Sequence, residues 1–410
     1  MTGVVKIKTL VELFDECQIE NVIAALRYKP EKLIYVGYKK TMTTRRKTAI
    51  ERFLKMKGVD ISIEYEIVGG NDYTSIVDKL SSIADNNEDC YFDITGGKEL
   101  ILAAIGAVSM AKNVPMIQFN IRSGNYVKLY GDGELSDTDI PFLKIDEIVT
   151  LNGGAVIKNE PDDYDWELTD EFVRDIENMW SICKRNCGLW NIQSAVFENL
   201  ERFGRIDAGL NVYASLTHME RIKRDAYLDK RIIPQLTKMG LITDFCCEND
   251  IVTFTYKDEQ IRRCLTKAGN ILELYAYSLL KEISANDPGY YDDIDIGVYV
   301  DWDGEIKGGA NAYETKNEVD IIVMRDAVPI FISCKNGEAK KEALYELDTV
   351  ANHFGGAYVK KVLLTTYISS DAQNRRYLLQ RARDMNIDVI ENVDKMDREE
   401  FIRTLKKRIK

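Results

Sequence analysis

The alternation of apolar and polar positions divides this 410-residue chain into three stretches with different rhythms. Over residues 1–149, short apolar runs alternate with segments whose apolar residues recur at helical spacing. VVKIKTLVELF, EKLIYVGY, ISIEYEIV, EDCYFDIT and VPMIQFNI read as strands, and IENVIAALRY, TTRRKTAIERFLKM, YTSIVDKLSSIA and KELILAAIGAVSMAK as helices. Such an order predicts an α/β fold with a parallel, doubly wound sheet, in which ligands bind at the carboxyl ends of the strands.

Residues 150–265 open with LNGGAVIKNEPDDYDWEL, polar and glycine-punctuated, which predicts a linker. Two amphipathic helices come next, LTDEFVRDIENMWSICK with Thr169 as N-cap and IQSAVFENLERF. LDKRIIPQLTKMG then leads into LITDFCC and IVTFTY, paired through a turn at Glu248, Asn249 and Asp250. Helix followed by hairpin resembles a winged helix, with a small α+β connector the favoured reading. Residues 266–410 begin with an apolar helix over 271–283 and a strand, IDIGVYV. Next comes the hairpin NEVDIIVMRDAVPIFISCKNG, then the helix KKEALYELDTVANHF, the strand AYVKKVLLTTY, the helix RRYLLQRARDM and the strand IDVIE. In the hairpin, Val319 and Ile321 to Met324 form one near-continuous apolar run and Ile330 to Ile332 begin another. Such runs suit strands covered on both faces.

Composition narrows the class. With 45% apolar and 30% charged residues the chain is expected to be globular. No stretch reaches the roughly 20 apolar residues of a membrane helix, and MTGVVKIKTLVELFDE lacks the pattern of a signal peptide, so a cytoplasmic location is expected, with no membrane partner. The 8 cysteines are then reduced, and Cys183, Cys187, Cys246 and Cys247 match no common zinc spacing. A net charge of -12 argues against a protein that coats nucleic acid non-specifically. Contact with nucleic acid would be local, and basic clusters lie at Arg375, Arg376, Arg381 and Arg383 and in the tail TLKKRIK.

The hairpin also carries charge where charge is costly. Asp320 heads its first strand and Lys335 ends its second, while Glu273 is the sole ionisable residue between Asn270 and Lys281 of the apolar helix. Holding an ion at the edge of such a sheet costs several kcal/mol, roughly, without a partner such as a metal or a phosphate. Helix glutamate, strand aspartate and strand lysine, in the order helix, hairpin, strand, helix, resemble the PD-(D/E)xK nuclease core. The resemblance implies magnesium or manganese held by Glu273, Asp320 and the backbone carbonyl at Ser333, with Lys335 orienting the attacking water. The pattern departs from the family two positions before the lysine, where Ser333 replaces an acid. Glu346, one turn beyond Glu342 on a face away from Leu344, Leu347, Ala351 and Phe354, is the candidate substitute, with a solvated surface charge as the plainer alternative. Asp295 ranks below Asp320, and the DWDG segment is expected to be a hairpin loop.

In the first stretch the loop FDITGGKEL stands out. A strand runs into Thr95, Gly96 and Gly97 just before a helix, where paired glycines allow close approach and free N–H groups favour an anion, although a plain strand-to-helix turn reads the same. It is neither a Walker loop nor a GxGxxG fingerprint. Together with DECQIENVIAAL after the first strand, it resembles the CARF sensor domain of type III CRISPR systems. That resemblance implies a homodimer binding cyclic oligoadenylate, with Thr95, Gly96, Gly97 and Lys98 lining the pocket and Gln18, Asn21, Asn71, Asp72 and Lys39 as weaker members. The whole chain is similar to the CRISPR ancillary nucleases, which fuse CARF to PD-(D/E)xK. This second resemblance implies cleavage of DNA, and in some members RNA, switched on by cyclic tetra-adenylate or a related ring. The alternative is a ligand-responsive nucleic-acid-binding regulator with a degenerate nuclease site.

Overall fold

A computed structural model describes residues 7–70, 72–121, 124–131, 141–158, 165–305 and 316–410. The first domain is a Rossmann-like sheet of β1 (Thr9–Leu13), β2 (Lys32–Tyr38), β3 (Ser62–Val68), β4 (Cys90–Asp93), β5 (Met116–Asn120) and β6 (Asn125–Tyr130), in the order β3-β2-β1-β4-β5-β6. All neighbours are parallel except β6, an antiparallel edge strand that the apolar pattern does not single out. The helices are α1 (Ile23–Tyr28), α2 (Thr44–Met56), α3 (Tyr73–Asp85), α4 (Glu99–Lys112) and α5 (Ile145–Leu151). The expected first helix is broken, because Gln18–Asn21 forms a 3-10 turn before α1.

The expected linker is only partly one. Its β7 (Ala155–Ile157) joins the sheet of the third domain by pairing with Tyr299 to Asp301. The middle domain continues with α6 (Asp170–Cys183), α7 (Cys187–Phe203), β8 (Arg205–Ile206), β9 (Asn211–Ser215), α8 (Leu216–Arg221), α9 (Ile233–Lys238), β10 (Ile242–Glu248), β11 (Ile251–Tyr256) and α10 (Glu259–Thr266). Helix, strand, two helices and a hairpin that folds back to pair with the first strand is the winged-helix order. Thr169 caps α6 as its sequence position suggests, accepting from the Phe172 N–H.

The third domain consists of α11 (Asn270–Asn286), β12 (Asp293–Asp301), β13 (Lys316–Arg325), β14 (Val328–Glu338), α12 (Lys341–Gly355), β15 (Lys360–Tyr367), α13 (Ala372–Asp384), β16 (Ile387–Glu391) and α14 (Arg398–Arg408). Its sheet runs β16-β15-β14-β13-β12-β7. The β13–β14 turn places both central residues, Asp326 and Ala327, at positive φ, the twist that a two-residue hairpin needs. Both faces of this sheet are covered. Ile321, Val323, Ile330 and Ile332 pack with α6, α7 and α11, whereas Ile322, Met324 and Phe331 pack with α5, α12 and the first domain.

Candidate active site and ligand cavity

The β13–β14 hairpin brings two of the predicted catalytic groups into contact. Asp320 Oδ2 accepts from the Cys334 backbone N–H at 2.6 Å and the Ser333 hydroxyl at 3.2 Å, and lies 3.4 Å from Lys335 Nζ. Asp320, Ser333 and Lys335 share one face because side chains along a strand alternate. Burial works against the Lys335 ammonium, but Asp320 and then Glu273 outweigh it and raise its pKa above the ordinary lysine value. This lysine is therefore a fixed cation rather than a base.

Glu273 reaches the hairpin from the first turn of α11. Burial first, and the charge of Asp320 next, push its carboxyl up to about 8. No hydrogen bond to it forms among the described residues, so only the charges of Lys267 and Lys335 favour its ionised form, and burial outweighs them. Asp320 likewise makes all three of its hydrogen bonds among the described residues through Oδ2, leaving Oδ1 without one there. Two carboxylates in each other's field, each with an oxygen left over, form a hard-donor set that suits magnesium or manganese. The fit is incomplete. Glu346 lines the same cavity of about 80 Å³ as Asp320, Ser333 and Lys335, yet its side chain is exposed on α12. Among the described residues no three His, Cys, Asp or Glu side chains gather closely enough to hold a metal. The cysteines divide in the same way, with Cys183 buried, Cys187 beside it, and Cys246 and Cys247 exposed on β10. Asp295 is exposed and lines a different cavity, and Glu342 is exposed. Asp301 of the DWDG segment is used locally, its Oδ2 accepting from the N–H groups of Asp303 and Gly304.

One carboxylate is not evident from the sequence motifs. Glu318 lines both the Asp320 cavity and a second one of about 470 Å³ that contains Glu273, and it pairs with Lys267 at 3.1 Å. Its position two residues before Asp320 is the signal that could have found it.

In the first domain the Thr-Gly-Gly loop is held by the protein itself. The Thr95 N–H and hydroxyl both donate to Asp93 Oδ1, at 2.8 and 2.6 Å, and the hydroxyl accepts from the Phe119 N–H at 2.8 Å. Gly97 has φ +113° and a Cβ there would stand 2.7 Å from the Leu13 side chain, while one on Gly96 would stand 2.8 Å from Asp15 Cβ. The glycines are thus demanded by packing of the loop against the end of β1. Asp15, which no sequence pattern singles out, staples the two loops: it accepts from the Gly97 N–H at 3.1 Å and lies 3.8 Å from Lys98 Nζ.

Beside this staple lies a cavity of about 900 Å³ lined by Gln18 and Lys98 and also by Lys40, Arg45 and Arg46. Its far wall is the third domain, through Asn352, His353, Gly356 and Ala357. Asn21 is fully buried and spends its amide on the Asp15 backbone and Gln18. Asp72 caps α3 through the Ser75 N–H, Lys39 is exposed outside the cavity, and Asn71 lies outside the described residues. The seam is tied by Arg45, which donates to the carbonyls of Gly153 and Trp302, and by the Tyr358 hydroxyl, which donates to Glu20. Burial pushes the Glu20 carboxyl up to about 7.

The family model of the Card1-like endonuclease domain matches residues 258–409. This part of the chain is similar to that family. Two solved structures share the fold over nearly the full length. Protein VC1899 from Vibrio cholerae has 18% identity and a TM-score of 0.74, covering 97% of each chain. Can2 from Sulfobacillus thermosulfidooxidans, solved in complex with cyclic tetra-adenylate, has 16% identity and a TM-score of 0.70, covering 98% of this chain and 99% of that one. At such identities the likeness is one of fold. No curated protein matches the chain. Among the described residues no helix is long and apolar enough to cross a membrane.

Proposed function

We propose that this Card1-like protein is a metal-dependent endonuclease of type III CRISPR defence, acting in the cytoplasm as a homodimer on DNA, with RNA as a second candidate substrate. Its activator is a cyclic oligoadenylate, cyclic tetra-adenylate by preference. The observation that carries the reading is the Asp320–Lys335 contact, with the unpartnered Glu273 carboxyl in the field of both. A bound magnesium or manganese ion would lower the pKa of a water and offset charge on the phosphate. Asp320 Oδ1 and Glu273 would hold it, with the Ser333 carbonyl and Glu346 as further ligands. Lys335 Nζ keeps its proton and would donate to the water or to a phosphate oxygen.

For the activator, Lys40, Arg45, Arg46 and Lys98 supply cations around a cavity large enough for a small cyclic nucleotide, and Can2 is a fold neighbour that holds cyclic tetra-adenylate. Activator binding would favour a conformation in which Glu346 closes on Asp320, because α12 lines both cavities.

The test uses the full chain, manganese, and plasmid or single-stranded DNA, with and without cyclic tetra-adenylate. Activator-dependent nicking that falls at least ~100-fold in Lys335→Ala supports the enzyme, on the scale of losing a transition-state electrostatic contact. Ser333, at the position where the family has an acid, favours the second reading, a regulator with a degenerate site. Retardation of DNA without cleavage would establish that reading instead.

A further inference from the structure

Charge is unevenly spread in the middle domain. Residues 221–238 hold six lysines and arginines against two aspartates, in a chain whose net charge is -12. Buried Asp229 pairs with Arg231 at 2.8 Å, which leaves five cations against one aspartate. Lys223, Arg224, Lys230 and Lys238 are exposed, and Tyr227 among them is 63% exposed. This stretch runs from the last residue of α8 through the connecting loop to the end of α9, the second and third helices of the winged-helix order, a pair that in helix-turn-helix proteins meets the backbone and a groove of DNA. The β10–β11 wing is different, carrying Glu248 and Asp250 at its tip.

Contacts along α7 place the stretch. Arg224 lies over the Phe203 ring at the end of the helix, Asn199 donates to the Asp225 carbonyl, Gln193 accepts from the Asp229 N–H, and Gln235 accepts from Arg185 just before the helix starts. The basic segment therefore runs antiparallel along α7. Asn191 of α7 donates to the carbonyl of Asn336 and accepts from its side chain at 3.0 Å, and Asn336 follows Lys335 directly. Asn191 and Gln193 project from opposite sides of the helix. One helix thickness, about 10–12 Å, thus separates the positive stretch from β14, the strand that carries Lys335. At roughly 3.4 Å per nucleotide, three or four nucleotides cover that distance.

We infer that α8, α9 and the loop between them form the docking surface for the substrate, holding the phosphodiester backbone of a nucleic acid so that it passes over α7 to the Asp320–Lys335 edge. The inference rests on the nuclease reading for the identity of that edge, but binding is measurable without cleavage.

The experiment is fluorescence anisotropy on the full chain in EDTA, with a labelled DNA duplex and a labelled single-stranded RNA, across a salt series. K223E/R224E/K230E is expected to weaken binding at low salt at least ~10-fold. It should also reduce the slope of log K against log salt by about 2–3 for the duplex, since each phosphate contact contributes about 0.9. The probe that loses more affinity names the preferred nucleic acid. K79E/K112E, on α3 and α4 at the face of the first sheet turned away from the third domain, should leave the slope unchanged. Should the triple variant not fold, K223Q/K230Q is the substitute, with a slope lower by about 1.4–1.8 on the same scale. Unaltered slope in the variants, or equal weakening by K79E/K112E, overturns the surface. Docking that depends on these residues in a protein that never cleaves sinks the nuclease and spares the surface. Cleavage by wild type with unimpaired binding by the variants does the reverse.

Discussion

At the scale of single residues, the Glu273 carboxyl has the clearest thermodynamic consequence. Its ordinary value is 4.5, and burial with Asp320 nearby moves it to about 8 in the folded chain. Between those values the folded state keeps a proton that the unfolded state has released, so stability falls as pH rises. The stabilising effect is fully present below the ordinary value and gone once pH passes about 8. Glu273→Gln holds a neutral group there at every pH. In EDTA, differential scanning fluorimetry should give the variant and wild type similar Tm values at about pH 5, and the variant a higher Tm by several degrees at about pH 8.5. Equal displacement at both pH values would mean that the carboxyl titrates normally. The sequence exposes this group because it interrupts an apolar helix. It does not expose Asp15, whose role depends on two loops meeting in space, and it offers Glu318 only through its spacing from Asp320.

At the scale of elements, α12 ties the two cavities together. Its Glu346, Leu347 and Val350 line the small cavity, and Asn352 and His353, about 10 Å beyond Glu346 at 1.5 Å per residue, line the large one. Immediately after it, Tyr358 reaches across to Glu20 in the loop that follows β1. Tyr358→Phe removes that hydrogen bond and leaves a buried carboxyl without a donor, a loss of about 1–3 kcal/mol. Thermal unfolding should show the lower stability. Cleavage assays should show a smaller stimulation by the activator with the unstimulated rate little changed; unchanged stimulation would remove the seam from the activation path. The helix itself is legible from the spacing of Leu344, Leu347, Ala351 and Phe354, and the hairpin from its two apolar runs. β7 is not, because three residues in a glycine-punctuated stretch carry no period and the partner strand β12 lies far along the chain. Nor is the winged-helix order distinguishable from a connector without the pairing of β11 with β9.

At the scale of the molecule, the three stretches do not make three independent cores. One face of the third sheet is buried with α6, α7 and the middle-domain hairpin, and the other with α5 and the helices of the first domain. Long chains with several domains commonly unfold in separate steps, but here each of the outer units loses a wall if the third sheet opens. Trp180 and Trp190 report on the middle domain and Trp302 on the end of β12, so tryptophan-to-phenylalanine variants can isolate each signal. In a urea titration their transitions are expected to coincide with each other and with loss of far-ultraviolet circular dichroism. An activator bound at the seam, at about 100 times its Kd, should move all of them together by about 2.7 kcal/mol. Separate midpoints for Trp180 and Trp302, or a shift confined to one of them, would mean that the sheet faces are contacts between independent bodies. A signal from the first domain would then need a dimer interface, rather than the shared core, to reach Asp320 and Lys335.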